Sequence, residues 1–291
     1  MRLLQILEDQ PSFRSFVKEW DLFIEEKLHD KDTVHRLISS LPNLQLLKIK
    51  LGPQNWLSQN EREAARADRL DQDSADRLIK VIPSSLKYLD ISEAGLSTDN
   101  ILALFVKTPH LETFAYDPYG ETSPIAELDS CPALPNLRNL VLGSDALRQS
   151  AFLALTSSTT LTSLDIDFIS VPDIPSASAS TLRFLKIRTI CQRDASNHEI
   201  EIASHLATIF PNCHSLLSLE MEGYHRCDSL LFFITFTSLG GLHLLPSFPR
   251  RLVLSSCGLS TSHLLDYLSR SLHYYLDLSV TNPAGERKRD L

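Results

Sequence analysis

The hydrophobic positions of this chain repeat in blocks of the form Leu-x-x-Leu-x-Leu, in which the first, fourth and sixth positions are apolar. The fourth and sixth positions alternate with mostly polar ones, which is the period of a strand that buries one face. The pattern therefore predicts a series of strands that share one interior. Seven regular blocks have these first, fourth and sixth residues: Leu44/Leu47/Ile49, Leu86/Leu89/Ile91, Leu111/Phe114/Tyr116, Leu137/Leu140/Leu142, Leu161/Leu164/Ile166, Leu182/Leu185/Ile187 and Leu216/Leu219/Met221.

Less regular blocks extend the series in both directions. They are Val17/Trp20/Leu22 at the start, and Leu239/Leu242/Leu244, Pro249/Leu252/Leu254 and His273/Leu276/Leu278 towards the end. Leu239 and Pro249 are too close in sequence for a strand, a turn and a returning helix to fit between them. We therefore predict that one of these two blocks is not a repeat, and that it is the block at Leu239.

The intervals between the blocks carry a helical pattern, with apolar residues at i, i+3 and i+4. The sets are Val34, Leu37 and Ile38; Ala75, Leu78 and Ile79; Ile101, Leu104 and Phe105; and Ile202, Leu206 and Ile209. The Pro- and Ser-rich segment 170–180 is predicted to be a loop instead. A strand and a helix in about 25 residues cannot bury their own apolar faces, so neighbouring units must stack. The expected fold is an α/β solenoid shaped like a horseshoe, with parallel strands on the concave face and helices on the convex face.

No linker interrupts the series, and we predict one repeat domain over residues 16–280. A helix or remnant cap at 1–15 precedes it, and a disordered basic tail at 281–291 follows. The longest apolar run, 230–236, is far shorter than the roughly 20 residues that cross a bilayer as a helix. Residues 1–9 turn acidic too early for a signal peptide, and five dispersed cysteines fit a reducing compartment. We expect a cytoplasmic or nuclear protein without a membrane span.

The net charge and the absence of known catalytic motifs limit the functions that the sequence predicts. A net charge of −8 counts against nucleic-acid binding. The phosphate-binding loop, the dinucleotide-binding glycines, the Gly-x-Ser-x-Gly elbow and the His-Glu-x-x-His zinc motif are all missing from the sequence. We predict that the protein is not an enzyme and uses no cofactor, although a Ser-His-Asp triad assembled by folding stays open as an alternative.

One set of residues has the chemistry of zinc ligands: Cys213-His214 followed by His225 and Cys227. A predicted strand separates the two pairs, and its extended residues would hold them about 20 Å apart. Ligands of one zinc ion lie about 2.0 to 2.3 Å from the metal, so the pairs cannot share an ion unless the chain doubles back. The prediction is that no metal binds here.

The third, fifth and seventh positions of each block should project from the concave face, because side chains alternate along a strand. Acidic residues prevail there, interrupted by basic stripes and a few aromatic residues. This pattern favours a polypeptide partner with complementary charge and aromatic anchors; the alternative is that the charges only keep an exposed sheet soluble. The predicted protein-binding residues are Lys48, Tyr88, Asp90, Asn139, Asp165, Asp167, Phe184, Lys186, Glu220 and Tyr275.

The blocks resemble leucine-rich repeats over residues 16 to about 280, and Cys257-Gly258-Leu259 after Leu254 resembles the Cys/Asn-x-Leu bend of that family. The opening segment, residues 3–22, resembles the segment that follows the F-box in fungal F-box/leucine-rich-repeat proteins. The F-box itself, with its Leu-Pro-x-Glu-Ile-like start, is not seen ahead of Leu3.

This resemblance implies a non-catalytic module for protein recognition, acting as the substrate-recognition part of an F-box-like ubiquitin-ligase adaptor. A cullin-ligase adaptor would then be a second partner, if an F-box lies upstream. The alternative is a stand-alone scaffold or an enzyme inhibitor without a link to ubiquitin.

Overall fold

The computed structural model describes residues 6–7, 9–24, 31–51, 72–91, 96, 98–116, 132, 134–143, 155, 161–168, 174–189, 196–223, 241–246, 249–255 and 277–281. The chain forms two compact units, Met1–Thr159 and Thr160–Leu291. Each is an α/β unit with parallel strands that follow one another in chain order. None of the described helices has the length and apolar character that a membrane crossing requires.

The first unit alternates strands with helices. Its strands are β1 (Glu19–Ile24), β2 (Leu46–Leu51), β3 (Tyr88–Asp90), β4 (Thr113–Tyr116) and β5 (Asn139–Leu142). Its helices are α1 (Lys31–Ser39), α2 (Gln72–Val81) and α3 (Thr98–Lys107), and a short 3-10 helix covers Pro11–Ser15. Helix α2 contacts both α1 and α3.

The second unit has the same plan. Its strands are β6 (Ser163–Phe168), β7 (Phe184–Thr189), β8 (Ser218–Gly223), β9 (Arg251–Ser255) and β10 (Asp277–Thr281). Its helices are α4 (Ser176–Thr181) and α5 (Ser196–Ile209), with 3-10 turns at Phe210–Asn212 and Gly241–Leu244. All four helices predicted from the i, i+3, i+4 pattern are therefore present, in the two units together.

The register of the strands matches the repeat. Trp20, Leu47, Leu89, Phe114 and Leu140 lie level across β1 to β5. The irregular first block, in which Trp20 holds the fourth position, is thus a true member of the series. Because a slip of one residue would turn every apolar side chain to the opposite face, the alternating pattern itself specifies this register.

The leucine pattern is the core of both units. In the seven regular blocks, none of the first-, fourth- and sixth-position residues is more than 4% exposed. Helical residues close the interior from the other side, among them Ile38, Leu78, Leu104 and Leu206. In the first unit, Phe105 of α3 meets Phe114 of β4 edge to face, with ring centroids 4.8 Å apart.

A turn precedes the strands β2, β3, β4, β5 and β7 and sets where each begins. The N–H of the first-position leucine donates to the carbonyl three residues earlier, as in Leu44 to Leu41 and Leu137 to Leu134. Leu41 and Leu134 are also buried, and each is followed by a proline, Pro42 and Pro135 respectively. Proline suits the site because its φ is already that of a turn and it needs no hydrogen-bond acceptor.

The prediction of a loop over 170–180 was wrong for its second half, which forms α4. This helix has no amphipathic stripe of large residues, since its sequence is Ser-Ala-Ser-Ala-Ser-Thr. Its small residues Ser178 and Ala179 are buried instead. The Thr181 hydroxyl donates to the carbonyl of Leu161 at 2.7 Å, which ties α4 to the segment that leads into β6.

The C-terminal blocks depart from the regular repeat in two ways. The residues of the block at Leu239 that the structure describes form a 3-10 turn and not a strand, which confirms that this block is not a repeat, and the block at Pro249 supplies β9. The last block is shifted, because Asp277 pairs with Arg251 and Leu278 with Leu252. Leu278 therefore holds the fourth position of the last repeat, whereas the sequence pattern had assigned it the sixth.

Candidate functional site

The candidate site is the strand face, by which we mean the third-, fifth- and seventh-position residues of the strands. These residues alternate with the buried fourth and sixth positions and so lie on the opposite side of each sheet. Backbone hydrogen bonds fix their rows. Phe184 N donates to the carbonyl of Thr162 at 3.0 Å, and Ser218 N donates to the carbonyl of Arg183 at 2.9 Å.

In the first unit, the predicted binding residues contact one another or their neighbours. Lys48 Nζ lies 5.5 Å from the centre of the Tyr88 ring, within range of a cation–π interaction. Asp90 is level with Lys48 in the register and is only 9% exposed. Asn139 Nδ2 donates to Thr113 Oγ1 at 2.9 Å across β4 and β5. Lys48, Tyr88 and Asp90 thus lie together on the neighbouring strands β2 and β3, whereas Asn139 lies on β5, two strands away from Tyr88.

The second unit carries a network of ion pairs across three strands and into a fourth. Lys186 Nζ lies 2.5 Å from Glu220 Oε1 and 3.7 Å from Glu222 Oε2. Arg188 lies 3.1 Å from Asp165, and Arg251 lies 3.7 Å from Glu220. We call this set the ion-pair strip; its members are Asp165, Lys186, Arg188, Glu220, Glu222 and Arg251.

The register explains why the strip forms. Strand β7 supplies the basic residues Lys186 and Arg188, and the strands on either side supply acids at the same levels. Asp165, Lys186 and Glu220 form one row. Opposite charges that face each other across strands contribute about 0.2 to 1 kcal/mol per pair. The strip therefore stabilises the sheet as well as facing outwards.

The protonation of Lys186 follows from these neighbours. Partial burial by itself lowers the pKa of the Lys186 ammonium group, because burial disfavours the charged form. The hydrogen bond and the charge of Glu220, with the charge of Asp165, outweigh burial and the repulsion of Arg188, so that the pKa of Lys186 lies above its ordinary value. Lys186 is thus a fixed cation at neutral pH.

Phe184 differs from its surroundings on this face. It is 50% exposed and, among the described residues, it is the one large hydrophobic side chain on a strand that is exposed to this extent. Its level neighbours are Ser163 on β6 and Ser218 on β8, both too small to cover an aromatic ring. The ring therefore stands beside the ion-pair strip without a bulky cross-strand partner.

Two of the predicted residues are described in part or not at all. Asp167 lies in β6 level with Arg188, but its side chain is outside the described part of the structure. Tyr275 lies outside the described residues altogether, as do His225 and Cys227 of the zinc-like set. The pairing of Asp277 with Arg251 makes Asp277 the third-position residue of the last repeat.

Sequence reasoning omitted some members of this surface. Arg251 joins the strip through Glu220, and its third position could have been counted from Pro249 had the register beyond Met221 been clear. Outside the strand face, the exposed apolar side chains Ile6, Phe13 and Phe16, which precede β1, were not predicted either. They follow no repeat, so periodicity gives no signal for them.

Metal ligands and thiols were candidates for further chemistry. Within the described ranges, no three His, Cys, Asp or Glu residues form a group that could hold a metal ion. The thiol of Cys213 is fully buried, and loss of solvation raises its pKa to about 12. A thiol in that state is protonated at neutral pH and is a poor nucleophile.

The chain matches no model of a known protein family and no curated protein.

Proposed function

We propose that this chain is a leucine-rich-repeat protein of the horseshoe type that binds another polypeptide through its strand face and catalyses no reaction. The observation that carries the proposal is the half-exposed ring of Phe184 beside the ion-pair strip. Aromatic residues set among polar and charged neighbours are the usual energetic centres of protein interfaces.

The free energy of burying the Phe184 ring favours its role as a contact for a partner. Burying a phenylalanine side chain completely is worth about 1.5 to 3 kcal/mol relative to exposure, so a partner that covers the exposed half would gain about 1 kcal/mol. The strip around the ring is already held by ion pairs on neighbouring strands. Binding to ordered side chains loses less conformational entropy than binding to mobile ones.

We further propose that the bound polypeptide is the substrate of an F-box-like ubiquitin-ligase adaptor, of which this chain is the recognition part. The support for this part of the proposal is the resemblance of residues 3–22 and of the repeats to fungal F-box/leucine-rich-repeat proteins. The competing assignment is a scaffold or an enzyme inhibitor that acts alone.

Affinity purification with quantitative mass spectrometry tests both proposals, polypeptide binding through the strand face and the F-box-like role. The bait is the full chain, compared with Phe184→Ser and with the control Val106→Ser, which changes an exposed apolar residue on helix α3. We expect Phe184→Ser to lose partners that Val106→Ser retains. A cullin-ligase adaptor among the partners supports the F-box-like assignment, whereas its absence from a set that depends on Phe184 supports a scaffold or inhibitor. Identical partners for all three baits would contradict recognition through this face.

A further inference from the structure

The second positions of the blocks form a row where the strands of the first unit begin. Gln45 N donates to the carbonyl of Lys18 at 2.7 Å, and Lys87 N donates to that of Gln45 at 2.8 Å. Glu112 N donates to the carbonyl of Lys87 at 2.7 Å, and Arg138 N donates to that of Glu112 at 2.8 Å. The row therefore crosses β1 to β5 in order. Lys18 and Lys87 are two strands apart in it, which is about 10 Å.

The surface at this end of the first unit is basic. Lys18 and Lys87 are exposed in the row, and Lys80 and Lys107 lie in the last turns of α2 and α3, which lead into it. We call these four residues the lysine end. One acidic residue, Glu112, lies in the described segments that join helices to strands here, which are 39–46, 81–88 and 107–113. Four positive charges thus accompany one negative charge, in a chain whose net charge is −8.

Three of the four ammonium groups lack a carboxylate partner. Lys87 Nζ lies 2.9 Å from Glu112 Oε1, and Lys107 Nζ donates to the backbone carbonyl of Lys80. Within the part of the chain that the structure describes, Lys18, Lys80 and Lys107 form no ion pair. The acidic neighbour of Lys18 in sequence, Glu19, lies on the strand face, because side chains alternate along the strand.

Helix stability accounts for part of this pattern. Lys80 and Lys107 stand near the last carbonyls of their helices, where a cation is favourable, and each helix has an aspartate in its first turn. A sheet has only a small net dipole, so this reason does not apply to Lys18 and Lys87. Solubility alone would be served by interspersed charges of both signs, which do not repel one another. The excess of one sign therefore indicates an anionic partner.

The surroundings of the lysines favour a polypeptide over a nucleic acid. Exposed prolines, Pro42, Pro109 and Pro135, lie in the turns that precede the row and add apolar surface to it. A strand of duplex nucleic acid has one charge about every 3.4 Å, much denser than lysines about 10 Å apart. A polyproline II segment has three residues per turn and rises about 3.1 Å per residue, so acidic residues at every third position recur at about 9 Å on one side. That spacing is close to the spacing of Lys18 and Lys87.

We propose that the lysine end binds an acidic polypeptide segment in which Asp or Glu recurs at about every third residue, with one carboxylate against Lys18 and the next against Lys87. Lys87 can accept this carboxylate as well as Glu112, because an ammonium group has three donors. Complementary charge selects the partner and speeds its association. The interface is separate from the strand face and does not rest on the proposed function.

The test uses a random twelve-residue peptide library displayed on phage. The library is first depleted on the full chain with Lys18→Glu and Lys87→Glu, which removes peptides that bind the strand face, and is then selected on the wild type at low salt. Enriched peptides are synthesised, and calorimetry measures their affinities for the wild type and for Lys18→Gln with Lys87→Gln. The control, Arg183→Gln with Arg250→Gln, removes the same charge from exposed residues of the second unit. Circular dichroism shows that each variant is folded.

We expect the enriched peptides to be acidic, with Asp or Glu at intervals of about three residues. Lys18→Gln with Lys87→Gln should weaken their binding about fivefold, and the control much less. Added salt should weaken binding to the wild type.

Enriched peptides that are neutral or basic, or equal losses for the two double variants, would overturn the proposal. The same holds if a duplex oligonucleotide binds with this dependence on Lys18 and Lys87 while no acidic peptide is enriched. These outcomes leave recognition through Phe184 standing, because Phe184→Ser tests it separately.

Discussion

At the scale of single residues, the contribution of a buried repeat leucine to stability can be measured by replacing it with alanine. Leu140 lies in β5 with no exposed surface. Replacing it with alanine removes buried methyl groups and leaves a cavity, so Leu140→Ala should lower the free energy of unfolding by about 2 to 5 kcal/mol. Urea denaturation followed by circular dichroism measures the loss.

The matched control for that substitution is Val106→Ala, because Val106 is 70% exposed on α3. A change there should stay within about 0.5 kcal/mol, since little buried surface is lost. Equal losses for the two variants would show that Leu140 is not part of a packed interior.

Cys213 gives a second prediction at this scale. Its thiol is buried, donates to the carbonyl of Ile209 at 3.5 Å, and has a pKa of about 12. Iodoacetamide reacts with the thiolate, so the folded chain should leave Cys213 unlabelled at pH 8 and become labelled there after unfolding in urea. Mass spectrometry of the peptide that contains Cys213 measures the labelling of this thiol separately from that of the other four cysteines. Rapid labelling in the folded chain would contradict the burial.

At the scale of elements, neighbouring strands are coupled through the ion-pair strip. A double-mutant cycle with Lys186→Met and Glu220→Gln should give a coupling of about 0.2 to 1 kcal/mol at neutral pH, because both side chains are partly exposed to solvent. Added salt should reduce it. The free energies of unfolding of the four proteins give the value.

The pair formed by Lys87 and Glu112 serves as the comparison, since its side chains are 52% and 44% exposed and its contact is 2.9 Å. Greater exposure to water weakens the attraction, so this cycle should give the smaller coupling. The reverse order would mean that the strip does not hold β7 and β8 together.

The elements also differ in how far sequence could predict them. The regular strands and the four amphipathic helices were predicted because large apolar residues recur at their periods. Helix α4 was missed, since Ser and Ala carry no such contrast and only burial of the small side chains makes the helix favourable. The register of β10 was displaced by two residues because Leu276, Leu278 and Val280 alternate in a way that fits either alignment.

At the scale of the whole molecule, alkaline pH should reduce stability. The pKa of Cys213 is 9.0 in ordinary surroundings and about 12 in the folded chain, so folding retains a proton that the unfolded chain releases. Its contribution is complete below pH 9.0 and is lost as the pH rises towards 12. Thermal unfolding between pH 8 and pH 10.5 should show a falling Tm. Cys213→Ala should show a shallower fall, and an equal slope would contradict the assignment.

Edge strands are the places where the sheets of separate molecules can pair. Among the described strands, β1 pairs on one side only, with β2. Its exposed Glu19 and Asp21 are the kind of charged residues that prevent edge-to-edge pairing. The double variant Glu19→Val, Asp21→Val should therefore self-associate in sedimentation velocity experiments. Asp73→Val with Asp99→Val removes two charges from helices and should not; association of both variants alike would point to net charge as the cause.

The sequence by itself determined the repeating unit, the parallel strands in chain order and the residues of the core. These three features follow from local periodicity, because each block places apolar residues at the same positions. Tertiary structure decided which charges on the strand face meet. Lys186 has acids on two neighbouring strands, Arg188 reaches across a row to Asp165, and Arg251 joins through Glu220. Such contacts depend on the pairing of strands from distant parts of the chain and on how long side chains bend, and periodicity specifies neither.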